Sequence, residues 1–227
     1  MKTKFFIYLF LFGIVGCMPS KRYVYLPPEH FKADKELLKT NGYYYTEKTT
    51  KYHCEYLFKE GRKIKSDSTL YNRKHLRLLF LYDNGLSYHS GGEMLAGLFL
   101  DTNYKDDSHC DKLTNWNTYE KAHQYAQMKL KNGSWDNHHK AHKGTYKIEN
   151  DSQITVQVYL TGLNYNYILA ELKGSIKNDS TIYFSSYHEY HPKYSKELNE
   201  TYHFKQFDKK PDSTSYILEN RKKFGKK

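Results

Sequence analysis

Histidine and cysteine are the residue types here best suited to chemistry, and their spacing decides what each set could do. His138, His139 and His142 lie with Asp136 in a polar segment after Trp135. Neutral imidazoles can hold a borderline transition metal, but no nearby Cys completes a structural zinc set. A chain with 12 His will also cluster some of them by chance, so these three are weak metal candidates and solvated loop histidines are the simpler reading. His188-Glu189-Tyr190-His191 is one residue short of the metalloprotease pattern, in which two His share one helix face. His188 and His191, three apart, would not project together from a strand, although a loop could arrange them, and they too are weak metal candidates. Gly85-Leu86-Ser87-Tyr88-His89 begins like a nucleophile elbow, yet His stands where a second Gly relieves the turn, and the segment sits in a hairpin. No metal, cofactor or catalytic role is therefore expected, and a hydrolase has no residue constellation to support it.

The cysteines are more informative. Lys2 and Lys4 make a short basic start, and Phe5 to Val15 is an apolar run broken by Gly13. These are the zones of a secretory signal peptide, and the run is shorter than the roughly 20 residues a transmembrane helix needs. Its end, Ile14-Val15-Gly16-Cys17, resembles the lipobox of bacterial lipoproteins: a branched apolar residue, a small one, then Cys. The resemblance implies that residues 1–16 are a signal peptide removed before Cys17, whose sulfur and new amino group are acylated with palmitate-like chains. Each buried CH₂ of such chains contributes about 0.8 kcal/mol, and several chains make the anchoring stable. Met18 stands where an Asp acts as the inner-membrane retention signal in some lipoproteins, so the resemblance favours the outer membrane, with the leaflet open. Residues 17–36, polar and carrying Pro27-Pro28, read as anchor and tether. With Cys17 lipidated, Cys54 on a strand's apolar face and Cys110 in the polar loop 106–110 form a candidate disulfide in an export compartment. Two separate thiols are the alternative.

The composition excludes other classes. Thirteen Gly and five Pro are too few for a collagen-like or low-complexity chain, and 17% aromatic residues exceed what a disordered polymer carries. The net charge of +11 becomes +9 once Lys2 and Lys4 leave with the signal. Nucleic acid is not the expected partner: only 5 of the 36 basic residues are Arg, whereas bidentate recognition of phosphate and guanine favours the guanidinium. Residues 219–227 form a basic tail that is solvated or touches anionic headgroups.

The elements that must position any site are mostly strands. Gly42-Tyr43-Tyr44-Tyr45 opens the domain, and Tyr52, Cys54, Tyr56 and Phe58 alternate onto one face of a strand that Gly61 ends, with a charged loop from Arg62 to Asp67. His75 to Tyr82 places Leu76, Leu78, Phe80 and Tyr82 on one side, and Asp83-Asn84-Gly85 turns the chain back. Ile154, Val156, Val158 and Leu160 make the clearest half-buried strand. The strand before it turns Tyr146 and Ile148 inward across Asn150-Asp151. Ile168 to Ile176 and Ser180 to Ser186 are joined at Asn178-Asp179, and Thr201 to Phe207 with Ser213 to Leu218 give one or two last strands. Between these blocks, Asn117 and Glu120 form a capping pair for a helix near 118–131, stopped by Asn132-Gly133. Gly92 to Leu100 leans towards helix.

About eight strands linked as hairpins imply an antiparallel meander closing as a barrel, or alternatively a sandwich. The lipobox, Leu38-Lys39-Thr40-Asn41-Gly42-Tyr43-Tyr44, Gly144-Thr145-Tyr146-Lys147-Ile148-Glu149, Leu172-Lys173-Gly174-Ser175-Ile176 and Lys210-Pro211-Asp212-Ser213-Thr214 together resemble the small lipocalin-like bacterial lipoproteins. The resemblance covers residues 37–218 and implies a lipocalin-like barrel with an inserted helix. The expected function is that of a lipid-anchored, non-catalytic envelope protein whose barrel binds a small apolar ligand. The alternative is an accessory subunit that contacts an envelope protein.

Overall fold

Two-residue periodicity and turn chemistry together wind this chain into a meander. The computed structural model describes residues 37–53, 56–59, 62–65, 70–90, 118–133, 142–161, 167–190 and 193–211. Its strands are β1 (Gly42–His53), β2 (Tyr56–Lys59), β3 (Arg62–Lys65), β4 (Leu70–Leu81), β5 (Leu86–His89), β6 (Lys143–Glu149), β7 (Gln153–Thr161), β8 (Tyr167–Asn178), β9 (Thr181–Tyr190) and β10 (Lys193–Gln206). Among the described residues one helix, α1 (Tyr119–Lys131), stands between β5 and β6. Eight of the strands close an antiparallel barrel in the order β1-β10-β9-β8-β7-β6-β5-β4, and β2 with β3 forms a separate ribbon. The barrel, not the sandwich, is the architecture. Among the described residues no helix is long and apolar enough to cross a membrane.

Local sequence explains the joints. Gly85 takes φ 79° and lets Tyr82 N bond Leu86 O at 3.0 Å, a backbone state that costs a Cβ-bearing residue strain. Asn150 and Asp151 both adopt positive φ, 52° and 56°, the mirror-image turn that matches the twist of paired strands. Gly144 answers a different need: a Cβ there would lie 1.8 Å from Gln157 O, so β6 and β7 meet at that point through bare backbone. For α1 the cap is Thr118 rather than Asn117. Its φ and ψ of −123° and 152° are extended, and its side chain accepts from Lys121 N, which is what a helix's first free N–H groups require. Glu120 in the first turn and Lys129 and Lys131 in the last complement the helix dipole.

Four expected boundaries move. The single strand through Tyr52, Cys54, Tyr56 and Phe58 is instead the end of β1 followed by β2. The expected loop Arg62 to Asp67 contains β3, with Lys59 opposite Arg62. Charge does not oppose strand pairing in a ribbon outside the barrel wall. β4 begins at Leu70, not His75, because β1 offers it ten consecutive partners from Tyr44↔Leu79 to His53↔Leu70. The last strand among the described residues, β10, starts at Lys193, not Thr201. Gly92 to Leu100 and Ser213 to Leu218 lie outside the described residues.

The barrel has an apolar core and a second one on its outer wall. Inside, Leu79, Leu81, Tyr146, Ile154, Val156, Val158, Leu172, Ile182, Phe184 and Tyr202 pack together. Outside, Tyr43, Leu76, Leu78, Phe80, Leu86 and Tyr88 meet Ala122, Ala126 and Leu130 of α1. At about 25 cal/mol per Å² of apolar area, each such large side chain contributes about 2 kcal/mol. The face of β4 carrying Leu76, Leu78 and Phe80 thus points away from the barrel interior, under the helix.

Candidate functional site

Strand parity aims a set of charged side chains into one end of the barrel. On β4, Arg77 and His75 continue the inward face of Leu79 and Leu81; on β1, Lys48 continues that of Tyr44. On β10, Glu200 is opposite Phe184 and Lys196 opposite Tyr187, both inward residues. The register shift that pairs Gly174 with Phe184 and Lys173 with Ser186 reverses the alternation of β9. Tyr187 and Glu189 therefore face inward and His188 outward.

Glu200 Oε1 accepts from Arg77 Nη1 and from Lys48 Nζ, each at 2.8 Å. Tyr187 OH donates to Glu189 at 2.6 Å, and His89 Nε2 pairs with Tyr202 OH at 3.1 Å. Burial, then the cations of Arg77 and Lys48, lower the Lys196 pKa, with Glu200 acting in the opposite sense. Burial raises the Tyr187 hydroxyl's pKa, and its bond to Glu189 adds to this. Arg77 Nε and Glu200 Oε2 are buried and make no hydrogen bond among the described residues.

Exposure rises along the inward face of β10 from Tyr202 at 0% through Glu200 at 5% to Tyr194 at 46%. Among the described residues, the inward side chains of β10 therefore gain exposure towards this end. The opposite end is shut. Leu38 is buried in the inner core, Lys39 N and Tyr44 OH both bond Asp179 O, and Tyr146 OH bonds Tyr82 O. Lys210 Nζ reaches Thr40 O at 2.6 Å and lies over the Tyr82 ring, tying in the chain after β10.

Of the sequence candidates, Cys17, Cys54, Cys110, His138, His139 and His191 lie outside the described residues. His142 leads into β6 at φ 68°, its Nδ1 3.0 Å from His89 O and its backbone bonding His89 and Tyr159. It staples the β5–β6 connection. His188 is on the outer wall, Nδ1 2.6 Å from Ser195 Oγ. Among the described residues no group of three His, Cys, Asp or Glu is arranged to hold a metal. Ser87 Oγ is buried and makes no hydrogen bond among the described residues, while His89, on the same face, is engaged by Tyr202.

Sequence reading missed Lys48, Arg77, Lys196 and Glu200. The available signal was a charge on the parity of apolar neighbours, as Arg77 is on that of Leu79 and Leu81. A further polar group lies on the outer wall. Glu171 accepts from Gln157 at 2.6 Å, Tyr190 at 2.8 Å and Lys173 at 3.1 Å. Burial pushes its carboxyl pKa up, but these bonds outweigh burial and hold it below the usual range. No protein-family model matches the chain, and neither a curated protein nor a solved structure matches it.

Proposed function

We propose that this is a lipid-anchored, non-catalytic binding protein of the cell envelope, held through acylated Cys17 to the outer membrane. Its barrel admits a small molecule with an apolar body through the end opposite Leu38. The observation that carries the reading is the barrel's asymmetry: one end sealed by Leu38, Tyr44 and Tyr146, the other lined by residues of rising exposure. An eight-stranded barrel encloses room for side chains or one small ligand, and tyrosine offers such a ligand both apolar area and a hydrogen-bonding tip. An accessory-subunit role would call for an apolar outer patch. The apolar outer face of β1, β4 and β5 instead lies under α1, and the large exposed hydrophobics among the described residues are Met128 and Tyr194.

Native mass spectrometry of the full-length protein tests the binding reading, together with titration by the neutral probe N-phenyl-1-naphthylamine. A retained small molecule or saturable probe fluorescence is expected; failure of both would refute it. For the anchor, Cys17→Ser should abolish palmitate labelling and leave residues 1–16 attached. Unchanged labelling would refute acylation at that residue.

A further inference from the structure

The chain enters and leaves the barrel wall at the same place. Gly42 opens β1 opposite Gln206, where β10 closes. Lys210 Nζ donates to Thr40 O at 2.6 Å, Phe207 N to Asn41 O at 3.2 Å, and Tyr82 OH to Pro211 O at 2.7 Å. The segment that arrives at Leu38 and the segment that departs at Pro211 thus lie side by side on the sealed end. Cys17 stands twenty positions before Leu37 and Arg221 ten positions after Pro211, reaches of at most about 70 Å and 35 Å. A lipid on the longer arm leaves the barrel free to lie in any direction. The shorter arm carries Arg221, Lys222, Lys223, Lys226 and Lys227, with one acid, Glu219, among residues 219–227. Each basic side chain near anionic headgroups strengthens attachment about fivefold.

We propose that the sealed end faces the membrane, held against an anionic bilayer surface by two attachments that leave it together: the lipid on Cys17 and the basic segment 219–227. This rests on the anchor reading above and adds to it an orientation and a lipid class. The end presents exposed polar turns at Asp83-Asn84, Asn150-Asp151 and Asn178-Asp179. Neither Met128 nor Tyr194, the large exposed hydrophobics among the described residues, belongs to these turns, so this end rests at headgroup level and does not enter the hydrocarbon. The same face carries both signs, Lys39 paired with Asp179 at 2.9 Å and exposed Lys177 and Lys209 along with exposed Asp151 and Asp208. The attraction therefore comes from 219–227. With this end down, the end opposite Leu38 points away from the bilayer.

The test adds the full-length expressed protein to preformed vesicles of phosphatidylcholine, with or without phosphatidylglycerol, each carrying a dansyl-labelled lipid. Energy transfer to dansyl is read from a tryptophan at either end, Ser152→Trp or Tyr194→Trp, as the change over the wild type with its Trp116 and Trp135. Tyr194 and Gln206 are twelve positions apart on β10, which puts the two ends about 30 Å apart along a tilted barrel. On anionic vesicles Ser152→Trp should therefore transfer at least about twice as strongly as Tyr194→Trp. The contrast should shrink on neutral vesicles, in about 1 M salt, and in the variant Arg221→Gln/Lys222→Gln/Lys223→Gln/Lys226→Gln/Lys227→Gln. Intact mass of the same sample reports acylation of Cys17 separately. Acylated protein with equal transfer from both ends, or stronger transfer from Tyr194→Trp, would overturn the orientation and leave the anchor reading standing. A contrast indifferent to salt, phosphatidylglycerol and the five substitutions would overturn the role of 219–227. An unacylated mass would overturn the anchor reading and the paired attachment with it.

Discussion

Replacing Glu200 with methionine should destabilise the barrel far more than an ordinary mouth substitution. Its Oε1 is 2.8 Å from both Arg77 Nη1 and Lys48 Nζ. With an effective dielectric of about 20, each contact has a gross attraction of about 6 kcal/mol, most of which desolvation cancels. Removing one partner of a buried pair typically costs about 3–5 kcal/mol, because a charge stays behind uncompensated. Here Arg77 and Lys48 are 13% and 27% exposed, so water relieves part of that penalty and the expected loss is about 2–3 kcal/mol. Arg77→Met should cost a similar amount. The double variant Arg77→Met/Glu200→Met should fall within about 1 kcal/mol of the wild type, since apolar replacement of a buried pair is often neutral. Equilibrium urea unfolding of the four proteins, followed by circular dichroism and tyrosine fluorescence, gives the cycle. A Glu200→Met loss below about 0.5 kcal/mol, or additive single losses, would refute the idea that these charges are partly desolvated.

His123 on α1 is buried against the barrel, 3.0 Å from Tyr43 OH, and burial, aided by the Lys205 charge, lowers its pKa to about 4. The folded state therefore binds fewer protons than the unfolded one between about pH 6.5 and 4. Stability is intact above that window and falls through it on acidification, by about 3 kcal/mol. His123→Phe should flatten this part of the melting-temperature profile, and parallel profiles would disprove the assignment. Gly144→Ala forces a Cβ to 1.8 Å from Gln157 O and 2.8 Å from Val158 Cα, so β6 and β7 must separate. A loss of at least about 3 kcal/mol in urea is expected, and one below about 1 kcal/mol would mean that the strands do not approach so closely. If Cys54 and Cys110 are bridged, alkylation of the denatured, unreduced protein adds no label at either; two labelled sites would exclude the bridge.

Period two made the barrel legible. Ile154 to Leu160 and Tyr146 with Ile148 face inward as their alternation implies, and the turns at Asp83 to Gly85 and at Asn150-Asp151 fall where the turn residues lie. The helix was readable from Ala122, Ala126 and Leu130, which share one face. What alternation cannot reveal is which side is inside. Leu76, Leu78 and Phe80 look like core and are core, but of the helix-covered outer wall. The opposite parity, with Arg77 and His75, lines the barrel. A bulge hides more: the shift around Phe184 swaps the faces of Tyr187 and His188, so strict alternation assigns the chemistry there to the wrong side. The charged mouth escaped for a further reason. Lys48, Arg77 and Glu200 are far apart in sequence, and only the closure of the barrel brings them together.

β1 and β10 meet through the short ladder from Gly42↔Gln206 to Tyr45↔His203, whereas β1 pairs with β4 over ten residues. Above that ladder, the Lys48–Glu200 contact links the two strands. This makes the junction of first and last strand the slowest part of the wall to assemble, since loop closure over nearly the whole domain must precede it. A chain emerging N-terminus first would carry an open, curled sheet until β10 arrived. The same junction is the natural first point of local opening, a seam that can part beside the Lys48–Glu200 contact while the longer ladders of the wall stay paired.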